Sequence, residues 1–155
     1  EAQLDRFMIK LSMGYPSVEE EANMMSERLG ENPVDSVRCV MNAEQLMRCI
    51  EDAGRVDFAD SLCRYVAQLA AATRSHPSVE LGVSPRASLA VMQASRALAY
   101  INGRSYVIPE DIVRLLIPVW SHRIVLRRET RMTKRTIGSI LEDVVTSVAP
   151  PIRRS

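Results

Sequence analysis

Ser84, Pro85 and Arg86 stand side by side in an order suited to holding an anion. Serine is a favoured N-cap, and proline fits the first helical position, where no amide hydrogen is needed. Arg86 then falls in the first turn, next to the positive end of the helix dipole. A cation there is disfavoured by roughly 0.3 kcal/mol or more. A phosphate group answers both features, because the helix N-terminus presents free amides and the guanidinium offers a planar fork of donors. A solvated arginine or a local salt bridge is the plainer alternative for the same spacing.

Other chemistries lack their residues. A phosphate-binding loop needs G-x-x-x-x-G-K-[ST], and neither Lys10 nor Lys134 follows a glycine. The acidic pairs Glu51-Asp52, Glu110-Asp111 and Glu142-Asp143 lack the apolar run of a strand that ends in a magnesium-holding acid. These residues alone are therefore expected not to hydrolyse ATP. His76, beside Pro77, reads as a loop residue, and His122 as a packed or capping histidine. G-x-S-x-G and H-E-x-x-H are absent from the sequence. Cys39, Cys49 and Cys63 are odd in number and form no C-x-x-C, so buried free thiols are expected rather than disulfides or zinc ligands. That fits a reducing, cytoplasmic setting.

The elements that would position Arg86 follow from periodicity. Phe7, Ile9, Leu11 and Met13 alternate with Met8, Lys10 and Ser12, the pattern of a strand ended by Gly14-Tyr15-Pro16. Ser17 and Glu20 form a capping box for a helix with Val18, Ala22, Met25 and Leu29 on one face, ended by Gly30 and Pro33. A connector over 31–41 carries Val34, Val37 and Val40, spaced to tuck against something apolar. Asn42 and Gln45 repeat the capping pattern before Leu46, Met47 and Ile50, with Gly54 as the stop. Asp57 is a candidate cap for a helix lined by Leu62, Tyr65, Val66 and Leu69. The helix after Ser84 is apolar on more than one side (Leu89, Val91, Met92, Ala94, Leu98, Ile101) and is expected at the centre of the bundle. Ala87, Ala90, Ala94 and Ala97 would let neighbours approach closely, and Gly103 ends it. Pro109-Glu110-Asp111 opens another helix, with a break or kink expected at Pro118. A last amphipathic run from Ile137 to Val148 stops at Pro150-Pro151. The expected fold class is all-α, a helical bundle with a short N-terminal strand.

Composition adds bounds. At 155 residues, 46% hydrophobic and 25% charged, the chain can bury the core of one ordinary globular domain. A formal net charge of +1 gives no overall field that argues for nucleic acid or membrane. No apolar run reaches the length of a membrane span, and no leader pattern opens the sequence. Arg123, Arg127, Arg128, Arg131, Lys134 and Arg135 form a basic stretch, but no aromatics interleave for base stacking, so a solvated helix end is the ordinary explanation. Glu1 rather than methionine at the start points to a piece of a longer protein.

Several segments together resemble the MoxR family of AAA+ ATPases. Glu1-Ala2-Gln3-Leu4-Asp5-Arg6-Phe7 is similar to the family's E-A-Q-x-D-R-F, and residues 81–87 to its sensor 2 motif G-x-S-P-R-A. The stretch from Ala97 to Ile112 and His122-Arg123-Ile124 also resemble the family pattern, so that the likeness covers roughly residues 1–126 in order. The resemblance implies the end of an α/β ATPase core over 1–16, a helical lid over 17–128 and a tail helix over 129–155. It implies that Arg86, presented by Ser84 and Pro85, contacts the γ-phosphate of ATP in its own subunit. It also implies that Arg6 is an arginine finger acting in trans, with a salt bridge to Glu1 or Asp5 as the alternative. ATP and Mg would belong to the intact protein, and this stretch alone is expected to bind neither tightly. The implied partners are the protein's own core, neighbouring subunits of a homo-hexamer, and a client protein. Chaperone-like remodelling, including metal-cofactor insertion, is the implied activity; no membrane or nucleic-acid partner is expected. A free-standing helical protein-interaction or nucleic-acid-binding module is the competing reading.

Overall fold

The computed structural model describes residues 4–28, 32–133 and 135–151. Leu29, Gly30, Glu1 and Lys134, which entered the expectations above, lie outside them. The chain divides into two compact units, Glu1–Lys10 with Ile50–Ser155, and Leu11–Cys49.

The larger unit is a helical bundle. Its helices are α3 (Asp60–Ser75), α4 (Pro85–Ile101), α5 (Pro109–Trp120), the short α6 (Arg128–Arg131) and α7 (Ile137–Ser147). Leu62, Tyr65, Val66 and Leu69 of α3 are buried, as their spacing predicts. On α4 the small residues are the ones buried: Ala87, Ala90, Val91, Ala94, Ser95 and Ala99. Leu89 and Ile101 face outward, so α4 is central through close approach rather than through bulk. Ile112, Leu116, Val119 and Trp120 of α5 complete the centre, and Ile140, Leu141 and Val144 of α7 close it. α4 packs on α5 and α3, and α7 packs on α3 and α5. The tail helix thus docks on the bundle.

Helix ends explain several departures from expectation. Gly54 lies inside α2 (Ala43–Arg55) rather than after it. The final carbonyls are satisfied from elsewhere: Arg96 donates from Nε to the Val56 oxygen (2.8 Å) and from Nη2 to the Gly54 oxygen. Asp57 does not cap α3. Its backbone pairs with the segment before α5, accepting from the Val107 amide at 3.0 Å and donating to Ser105 at 2.9 Å. The end of α4 is as expected. Gly103 takes a φ of +70°, its amide reaches the Tyr100 oxygen at 2.9 Å, and the Arg104 amide reaches Ala99 at 2.9 Å. That is the paired bonding of a Schellman motif. Pro118 does not end α5, which runs on to Trp120 before a 3-10 turn over Ser121–Arg123.

The expected N-terminal strand does not form. Leu4–Arg6 make a 3-10 turn, and residues 7–16 carry no regular structure. A lone alternating segment has no ladder to satisfy its backbone. The Lys10 amide instead donates to the Pro118 oxygen at 2.8 Å. The sheet among the described residues lies elsewhere. β1 (Val79–Leu81) pairs antiparallel with β2 (Val125–Leu126), Val79 opposite Leu126 and Leu81 opposite Val125.

The smaller unit holds α1 (Val18–Glu27), a 3-10 turn over Pro33–Ser36 and the first half of α2. Both expected capping pairs are present. The Ser17 amide donates to Glu20 at 2.7 Å, and the Asn42 and Gln45 amides each bond the other's side chain at 2.9 and 2.8 Å. No described residue of 11–49 is buried. The free thiols are likewise not buried: Cys39 and Cys63 are exposed and Cys49 is half-covered. No helix among the described residues is long and apolar enough to cross a membrane.

Candidate functional site

The β1–β2 pairing sets two sequence segments side by side, the one leading into α4 and the one following α5. Residues 82–84 leave β1 and are fixed at once by the end of α3. The Val83 amide donates to Thr73 Oγ1 at 3.2 Å, and Arg74 Nε donates to the Val83 oxygen at 2.9 Å. Gly82 is required by this approach, because a Cβ there would lie 2.7 Å from the Arg74 backbone. On the other side, Trp120 is fully buried and donates from Nε1 to the Ala87 oxygen at 3.0 Å, tying the end of α5 to the start of α4.

Ser84 caps α4 as expected: its Oγ accepts from the Ala87 amide at 3.3 Å, and Pro85 occupies the first helical position. Arg86 follows in the first turn, exposed, and its side chain makes no hydrogen bond or ion pair with any described residue. Both local alternatives to an anion role were a salt bridge or simple solvation; the salt bridge is not made. Beside this helix start lies an open cleft of about 710 Å³. Asp5, Arg74, Ser84, Pro85, His122 and Arg123 are among its lining residues.

Sequence reasoning did not single out the charged centre of this cleft. Arg123 is buried, its side chain 3% exposed, with Nε 3.2 Å from Asp5 Oδ1. That contact is an ion pair off the hydrogen-bond axis, and Nη1 is left without a hydrogen-bond partner. Nη2 donates to the Asp5 and Phe7 carbonyls at 3.1 and 2.7 Å. His122 Nε2 lies 2.9 Å from the same Phe7 oxygen, and Ser84 Oγ lies 3.4 Å from the Asp5 carboxylate. Burial pushes the Arg123 guanidinium below its ordinary value; Asp5 opposes this and the positive charge of Arg86 adds to it. The charged residues lining the cleft are Arg74 and Arg123, with Asp5 and Glu80, and Arg86 lies on the adjoining first turn of α4.

Arg6 is exposed and Asp5 is engaged by Arg123, so the Arg6–Asp5 salt bridge considered from sequence is not made. The signal that could have found the clasp was present: an acid in the first motif and an arginine in the last, each otherwise unexplained. No cluster of three His, Cys, Asp or Glu side chains able to hold a metal ion occurs among the described residues. The start of α4, with Ser84 as its cap and Arg86 in its first turn, has the chemistry that suits a phosphate.

Residues 71–144 match the AAA lid domain family. Over 155 residues the chain is 38% identical to the uncharacterized protein YeaC of Bacillus subtilis, covering all of this chain and 48% of YeaC. It is 34% identical to Chaperone MoxR1 of Mycobacterium tuberculosis, covering 97% of this chain and 42% of MoxR1. Its structure is similar to the crystal structure of a provisionally named ATPase of Cytophaga hutchinsonii, with a TM-score of 0.85 at 27% identity over 97% of this chain and 48% of that one. The chain spans about half the length of these relatives, or less.

Proposed function

Because the chain belongs to the MoxR family of AAA+ ATPases and carries its lid domain, we propose that its bundle converts the state of a bound nucleotide into a change of lid position. ATP and its magnesium are held by the nucleotide-binding core of the full-length protein, and Arg86 reaches the terminal phosphate from the lid. The observation that carries this reading is the placement of Arg86: a cation at the positive end of a helix, uncapped by any described acid, behind a serine cap and beside a second, buried cation. An arrangement with an unfavourable local field is stabilised by an anion that arrives from outside. ATP supplies the chemistry of phosphoryl transfer; the chain supplies binding and orientation.

The contact exists while the γ-phosphate is present and is lost after hydrolysis, so the phosphate biases a two-state lid. Arg6, on the same unit, acts on the nucleotide of a neighbouring subunit in a ring, taken as a hexamer. Remodelling of a client protein is the work this coupling drives. Two observations weigh against the protein-interaction or nucleic-acid alternative: the apolar face of α7 packs on α3 and α5, and Arg135 of the basic stretch is paired with Asp143 at 2.5 Å.

The test is Arg86→Ala in the full-length protein. ATP turnover is expected to fall tenfold or more, while Arg86→Lys, which keeps the charge and loses the fork, recovers part of it. Unchanged turnover in Arg86→Ala would overturn the reading.

A further inference from the structure

One buried guanidinium holds the backbone on both sides of Arg6. The Asp5 and Phe7 carbonyls flank that residue, and Nη2 of Arg123 donates to both, at 3.1 and 2.7 Å. Nε of the same side chain pairs with the Asp5 carboxylate at 3.2 Å, and His122 Nε2 stands 2.9 Å from the Phe7 oxygen. The Arg6 side chain itself is exposed. The segment thus has an anchored backbone and a projecting guanidinium.

We propose that Arg123 is a positioning residue for Arg6, clasping the Asp5–Phe7 backbone so that the Arg6 guanidinium is presented to the nucleotide of the adjacent subunit. The inference rests on the reading of Arg6 as an arginine finger. It adds a route between the two nucleotide-facing arginines. Asp5, next to Arg6, also meets Ser84, which caps the helix that carries Arg86. A lid displaced through Arg86 therefore moves the clasp that aims Arg6, and one subunit's phosphate adjusts hydrolysis in the next. Arginine suits position 123 because Nη2 makes both hydrogen bonds to the backbone while Nε faces the Asp5 carboxylate, two separate nitrogens of one rigid guanidinium that a single lysine ammonium does not supply. A group stabilising transferred charge must sit within about 0.5 Å of its productive place. A misplacement of about 1 Å costs on the order of 100-fold in rate.

The experiment compares Arg6→Ala, Arg123→Met and Asp5→Asn in the full-length protein by steady-state ATP hydrolysis, with thermal melts as a check on folding. Arg6→Ala is expected to lower kcat at least 100-fold. Arg123→Met is expected to lower kcat at least tenfold with KM within twofold of the parent. Asp5→Asn, which keeps shape and the carbonyl contacts should Arg123→Met fail to fold, is expected to lower kcat several-fold. Mixed assemblies separate positioning from damage. Arg123→Met subunits are mixed with subunits that have an intact Arg123 and a hydrolysis-dead nucleotide pocket. The Arg123→Met pockets then regain turnover, because their neighbours supply a correctly held Arg6. No recovery on mixing, or a raised KM at unchanged kcat, overturns the inference alone. An unchanged kcat in Arg6→Ala sinks the finger reading and this inference with it.

Discussion

Residues 50–151 and residues 11–49 are built from similar helical patterns and stand at opposite ends of self-sufficiency. In the first, Trp120, Leu69, Ile112 and Ile140 are fully buried, and α3, α4, α5 and α7 cover one another. In the second, Val40 is 96% exposed and Met13 96%, and both helices are held by their caps. Capping and apolar periodicity are therefore enough to specify a helix but not to give it a core. A capping box contributes about 1 kcal/mol, against about 1.5–3 kcal/mol for each large side chain fully buried. Leu46 and Met47 of α2 are exposed, whereas Leu62 and Val66 of α3 are buried.

The largest break in this comparison comes from the core. Trp120→Ala removes a fully buried ring and the donor to the Ala87 oxygen, and is expected to cost about 3–5 kcal/mol. Urea unfolding followed by circular dichroism measures it. In the parent chain Trp120 is the sole tryptophan, so its fluorescence reports the larger unit alone. Its transition should be cooperative and should fall later in urea than the loss of helicity from α1. Coincident transitions by both probes would show that the two regions share stability after all.

Most of the helices, the inward face of α3 and three of the caps were legible in the sequence because each is a local property. Ser17 with Glu20, Asn42 with Gln45, and Ser84 needed only spacings of three residues. What was not legible depended on partners far along the chain. Phe7 to Met13 alternates like a strand, yet pairing requires a neighbour that the sequence pattern cannot supply. Asp57 looks like a cap and is used as a bridge to Tyr106. Arg123 passed as one of several basic residues because its partners, Asp5 and Phe7, lie more than a hundred positions away. The site was half readable for the same reason: Ser84, Pro85 and Arg86 form a local motif, whereas the clasp that joins it to Arg6 is tertiary.

A smaller effect sharpens the contrast at the level of one methyl group. Gly82→Ala places a Cβ 2.7 Å from the Arg74 backbone, where neither chain can yield cheaply, and should cost about 1–3 kcal/mol. Val40→Ala removes two methyls from an exposed side chain and should change stability by less than about 0.5 kcal/mol. Denaturation midpoints of the two variants, measured side by side, check both. A larger shift for Val40→Ala would mean that the 11–49 region is packed in solution.

The smallest effect is electrostatic and belongs to α1. The Glu20 carboxyl is held below the ordinary value of 4.5, first by the bond from the Ser17 backbone amide and then by the Ser17 hydroxyl. Both bonds favour the ionised form, so the folded pKa lies below the unfolded one. The capping contribution is therefore complete above pH 4.5 and is lost as pH falls through the lowered value. The Ser17 amide proton, which donates to Glu20 at 2.7 Å, is the direct reporter. Its NMR shift should titrate with a midpoint under 4.5, in step with a fall in α1 helicity. Glu20→Gln should flatten both curves, since the amide cannot ionise. A midpoint at or above the ordinary carboxylate value would mean that the capping box does not persist in solution, and that α1 lacks the local support which distinguishes it from the helices with a core.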